Sequence, residues 1–145
     1  MIDTIKSETK STIYKCCERY AKSKEVSIES VQLILGADGN GVTYWVCENY
    51  VPKLQMDILE VLGVKIDFSG GIKSKLAPQF ILQSLIRFAQ QYKIEMEKTM
   101  VMCIPSKNEK GKPDVLLYLY KGSQYLETIT FENLFREEDL QSFMQ

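Results

Sequence analysis

The chain contains no histidine in its 145 residues. This removes the commonest general base at neutral pH, the commonest metal ligand and the usual pH switch. A Ser-His or Cys-His nucleophile cannot be built within one copy. The four cysteines, Cys16, Cys17, Cys47 and Cys103, form no C-x-x-C pair, which excludes zinc-ribbon and thioredoxin patterns. They are expected to be reduced thiols of a cytoplasmic protein. Charge of one sign is also missing: 18 basic residues stand against 19 acidic ones, for a net charge of -1. That balance argues against nucleic acid as a partner held by a strongly basic surface. No apolar run approaches the ~20 residues needed to span a bilayer. The opening Met-Ile-Asp-Thr-Ile-Lys-Ser-Glu has no signal-peptide core. The expectation is a protein without metal, cofactor or membrane contact, and without catalysis.

Apolar residues make up 45% of the chain and charged residues 26%, as in ordinary globular proteins. One domain over residues 1–145 is expected, long enough to be stable without disulfides or metal. The stretch from Lys98 to Phe131 organises the rest. It holds three β-rich runs separated by turn residues, an antiparallel meander. The first two runs are apolar at nearly every position, which predicts that both of their faces are covered. In the third, Tyr125, Glu127 and Ile129 are expected on one side, Leu126, Thr128 and Thr130 on the other.

Earlier in the chain, Ile2, Ile5, Thr9, Ile13, Cys16 and Tyr20 fall on one face of a helix over residues 3–22. Val31–Gly36 and Val42–Cys47 read as a hairpin around Asp38-Gly-Asn-Gly41. Pro52–Leu62 reads as a helix, with Pro52 at its first position, Asn49 as a possible cap and Gly63 as its stop. Val64–Phe68 reads as a short edge strand. Residues 78–93 are the most apolar helix, and Thr130 is placed to cap a last one. No internal repeat is legible. The fold class is therefore α+β, in the order α-β-β-α-α-β-β-β-α, with an antiparallel sheet of about five strands and helices packed on its faces.

Two functional readings follow, from different classes. The first is a non-catalytic protein–protein interaction or assembly module that self-associates into a homo-oligomer. Phe80, Phe88, Phe135, Phe143 and Met144 lie partly outside the buried stripes, and with Ile5 and Ile13 they are the candidate partner-binding residues. The second is a small-molecule or nucleotide-phosphate binder using the Ser69–Lys75 loop. There Gly70 and Gly71 would admit backbone N–H groups, Lys73 and Lys75 would supply charge, and Tyr44 or Trp45 would stack a base. The spacing is not that of a P-loop, and such loops are most often plain surface turns. Tyr44, Trp45, Tyr50, Tyr118, Tyr120 and Tyr125 form a further aromatic set. Tyr118 and Tyr120 share one strand face, which would be a protein-binding patch or stacking platform if left open. Otherwise such tyrosines edge a core with the hydroxyl in water.

Overall fold

A computed structural model describes residues 2–63 and 78–136 together with Glu138. The described chain is α+β, with a six-stranded, wholly antiparallel sheet. Helix α1 (Ile2–Lys24) buries Thr9, Ile13, Cys16, Cys17 and Tyr20, the stripe that the three- and four-residue spacing marks out. A 3-10 turn (Ile28–Ser30) leads into β1 (Val31–Asp38) and β2 (Gly41–Glu48). Asp38 closes their turn by accepting the Asn40 N–H at 2.7 Å, and Gly41 takes φ of 124°.

The sixth strand lies where sequence periodicity suggests a helix. Val51–Met56 is β3, an edge strand on β2, and only Ile58–Leu62 is helical (α2). Asn49 and Tyr50 both have positive φ, 50° and 68°, the backbone of a tight two-residue hairpin turn. Asn49 is therefore a turn residue and caps no helix. Pro52 sits opposite Cys47, beside a bulge between Val46 and Cys47. A proline has no N–H to give a ladder, and an edge strand beside a bulge is where it does least harm. Helix α2 is held at both ends. Asp57 accepts the Glu60 N–H at 2.9 Å, and Arg19 of α1 donates to the Val61 carbonyl at 2.6 Å. Gly63 follows at φ 73°, where a Cβ would meet the Arg19 guanidinium at 2.5 Å.

Helix α3 (Pro78–Tyr92) buries Phe80, Ile81, Ser84, Leu85, Phe88 and Ala89. A second 3-10 turn (Met96–Lys98) precedes β4 (Thr99–Lys107), β5 (Pro113–Lys121) and β6 (Gln124–Ile129). Helix α4 (Phe131–Leu134) starts in a capping box of Thr130 and Asn133. Its carbonyls accept from Ser84 Oγ and the Arg87 guanidinium of α3. The predicted Val64–Phe68 strand lies outside the described residues.

The strand order is β3-β2-β1-β4-β5-β6. An internal repeat that the sequence conceals appears in it: helix, 3-10 turn and three antiparallel strands occur twice. Matching backbone details recur 68 positions apart. Glu25 and Lys93 both take φ of 56° just after their helices. Val26 donates to Ala21 at 3.0 Å, and Ile94 to Ala89 at 2.9 Å. Ile13 and Ile81, and Cys17 and Leu85, are matched buried positions. At the centre Ile34 pairs with Met102, its own counterpart, while Leu33 pairs with Cys103 and Leu35 with Val101. That register is what a twofold axis normal to the sheet, passing between β1 and β4, produces.

Both long helices lie on the same side of the sheet. Val31, Leu33, Leu35, Tyr44, Val46, Val101, Cys103, Leu117 and Leu119 form one buried cluster with α1 and α3. The expectation of helices on more than one face is thus corrected: among the described residues the sheet has a single helix layer. Each helix packs on strands of both halves, α1 on β5, β1 and β4, and α3 on β1, β2 and β4. Neither half covers its own sheet alone.

Candidate interaction surface

Paired residues of antiparallel strands point to the same side. The register therefore defines the face turned away from the helices. On β1 and β2 it carries Ile34, opposite Trp45, and Gly36, opposite Thr43. On β4 and β5 it carries Met102, opposite Tyr118, Met100, opposite Tyr120, and Ile104, opposite Leu116. Four adjacent strands thus present isoleucine, methionine, leucine, tyrosine and tryptophan, with no lysine or arginine among these positions.

Among the described residues no helix lies on this side. Leu116 is 43% exposed and Trp45 37%. Ile34, Cys47 and Met102 are buried beneath Met100, Ile104 and Tyr120 as a small cluster separate from the main core. The expectation that both faces of β4 and β5 are covered is corrected for the described residues: the helices cover one face, and on the other Leu116 is exposed while Met102 is buried only by its neighbours on the sheet. At its middle runs a groove of about 430 Å³ lined by Ile34, Tyr50, Pro52, Met100, Met102 and Tyr120. It continues past Trp45 and Thr43. Methionines in such a groove are flexible and polarisable, which lets the wall adapt to what it meets.

Tyr125 joins the face through a bulge. The pairing shifts between Leu119 and Tyr120, so Tyr125 lies opposite Tyr120 while Thr128 lies opposite Tyr118. Its hydroxyl and that of Thr128 are 2.9 Å apart. Its ring is 5.9 Å from both Tyr118 and Tyr120. The alternation read from sequence, which put Tyr125 with Ile129, is corrected by that one shifted residue. Ile129 is buried on the helix side.

The sequence-derived contact residues lie elsewhere. Ile13, Phe80, Phe88 and Phe135 are core residues, between fully buried and 5% exposed, so no partner can touch them. Their rings complete the helix layer: Phe80 and Phe135 pack at 5.7 Å. Ile5 is half-buried against the same core. Phe143 and Met144 lie outside the described residues, as do Gly70, Gly71, Lys73 and Lys75 of the phosphate-loop reading. The two aromatics of that reading point to opposite sides of β2. Tyr44 is buried on the helix side and Trp45 is on the open face. Tyr44 edges a cavity of about 670 Å³ whose wall includes Asp38 and Asp57, carboxylates that repel phosphate.

All four cysteines are buried free thiols. Burial pushes the Cys16 and Cys47 thiols up to about 11, and raises Cys17 and Cys103 as well. A thiol so raised is protonated at neutral pH and is a poor nucleophile. Cys16 also contacts the Met56 sulfur at 3.8 Å, a packing role. Among the described residues no cluster of cysteine, aspartate and glutamate has the arrangement of a metal site. No described helix is long and apolar enough to cross a membrane. Compared with known protein families, with curated proteins and with solved structures, the chain matches none.

Proposed function

We propose that the protein is a non-catalytic protein-interaction module whose contact surface is the open face of the sheet. The observation that carries this is the apolar side of β1, β2, β4 and β5, which no described helix covers, opposite the layer of α1 and α3. A continuous apolar sheet face costs solubility when left in water, and on folded proteins patches of this kind mark contacts. Its composition fits a protein contact: aromatic residues and methionine enriched, charge depleted at the centre. A nucleic-acid strand stacked on Tyr118 and Tyr120 would need basic side chains alongside for its phosphates, and the paired positions of that face supply none.

A photo-crosslinking residue installed at Tyr118 tests the reading in cells. The matched control is Leu54, which is 41% exposed but paired with Val46 on the helix side. Covalent protein adducts at position 118 well above those at position 54 are expected. Equal or absent adducts at both sites would remove the open face as a contact surface.

A further inference from the structure

We infer that the occupant of the open face is the same face of a second copy of this chain, two sheets back to back with the helix layers outward. This rests on the preceding reading that the face is a protein contact.

Size is the first support. Six strands at about 4.8 Å spacing, each about eight residues long at about 3.3 Å per residue, give a face on the order of 750 Å². A stable interface takes roughly 800 Å² from each partner. Charge is the second. Trp45, Met100, Tyr118 and Tyr120 are uncharged, and the acids that reach the groove, Asp38 and Glu97, stand in its part beside Thr43, so an identical face brings no like charge against those four residues. The net charge of -1 leaves little long-range repulsion between copies.

Symmetry is the third. The internal twofold passes through the Ile34–Met102 pair, normal to the face. An isologous dimer adds a twofold lying in the interface. The two perpendicular axes together arrange four helix–three-strand units in approximate 222 symmetry. Met100, Ile104 and Tyr120, which cover Ile34 and Met102, then meet the second copy near the centre, where contact energy concentrates. The β3 edge is a poor alternative route to a dimer, because Pro52 removes an N–H from it.

Light scattering after size exclusion, from low micromolar to about 100 μM chain, tests this on the full chain. The wild type is expected at twice the chain mass. Leu116→Lys with Tyr118→Lys is expected to run as a monomer with unchanged circular dichroism, its dissociation constant weakened at least tenfold. Leu54→Lys is expected to remain dimeric. If the double variant unfolds, Trp45→Lys, at an exposed site of the same face, makes the same test. A wild type that stays monomeric throughout, or a dimer that survives both face variants, overturns self-pairing. A monomer whose Tyr118 crosslinks go to a different protein overturns self-pairing alone; a monomer with no crosslinks at Tyr118 overturns the interaction reading too.

Discussion

The two halves of the sheet share a backbone plan and differ in what they show to solvent. Toward the helices they are alike: Ile13 matches Ile81, Ala21 matches Ala89, and all four are buried. Toward the open side they diverge. Besides the buried Ile34, Cys47 and Met102, the first half contributes Gly36, Thr43, Trp45 and Gln55, while the second contributes Met100, Ile104, Leu116, Tyr118, Tyr120, Tyr125 and Thr128. Packing against α1 and α3 dictates the first set of positions, because any change there leaves a cavity or a clash. In the second set Met100, Ile104 and Tyr120 pack over Ile34, Cys47 and Met102, while Trp45, Leu116 and Tyr125 stay exposed. The apolar residues left exposed beside that small cluster are what the proposed partner would cover.

The halves also differ in thiols: Cys16, Cys17 and Cys47 belong to the first and Cys103 to the second. This gives the comparison its largest predicted consequence, at alkaline pH. An unfolded thiol ionises near its ordinary value of 9.0, whereas folded Cys16 and Cys47 hold their protons to about 11. Above pH 9 the unfolded chain therefore binds fewer protons than the folded one. Stability contributed by these groups is fully present below pH 9 and is lost as pH rises, by about 1.4 kcal/mol per pH unit for each thiol. Urea denaturation under reducing conditions between pH 8 and pH 11 reads the slope. Replacing Cys16, Cys17 and Cys47 by alanine is expected to remove three shares of it, and Cys103→Ala one. Equal flattening by the two variants would break the assignment.

Somewhat smaller is the cost of truncating matched core residues. Ile13→Ala and Ile81→Ala each delete a fully buried side chain at an equivalent position. Each is expected to cost about 2–5 kcal/mol, with the two values close to one another. Because each helix packs on strands of both halves, each variant is expected to melt in one transition, followed together by far-ultraviolet circular dichroism and Trp45 fluorescence. Two separated transitions would show that the halves fold independently, and the cross-packing would then carry little energy.

Much of this plan is legible in sequence, for identifiable reasons. The 3.6-residue spacing of Ile5, Thr9, Ile13, Cys16 and Tyr20 gives α1, and the turn chemistry of Asp38–Gly41 gives the first hairpin. The meander is plain because β-branched and aromatic runs alternate with turn residues. The third strand is not: Val51-Pro-Lys-Leu-Gln-Met has the helix-start signal of a proline, and only tertiary pairing with β2 makes that proline a bulge neighbour. The repeat is hidden because its matched positions agree in burial and backbone angle more than in residue type. The burial of three of the candidate contact residues was hidden for a related reason. Phe80, Phe88 and Phe135 look like excess on a helix wheel, yet a single helix layer over six strands needs wide helix faces to cover it. The true excess lay in the doubly apolar strands. An apolar residue on a strand reads the same whether its face is covered by the fold or left for a partner.

The smallest predicted effect is the most direct check on the repeat. Glu25 and Lys93 end their helices in left-handed backbone, each at φ 56°. The N–H of the following residue, Val26 or Ile94, reaches back to Ala21 or Ala89. That is the helix-ending geometry in which glycine is favoured, since an L side chain there crowds its own carbonyl. Glu25→Gly and Lys93→Gly are each expected to stabilise the protein by about 0.5–1 kcal/mol. Both side chains are exposed, so little packing is lost in exchange. If the halves are equivalent at the backbone, the two gains should agree and should add in the double variant, since the sites share no contacts. A gain at one site and a loss at the other would mean that the matched angles arise from different local forces, and the twofold would then describe the path of the chain without describing its energetics.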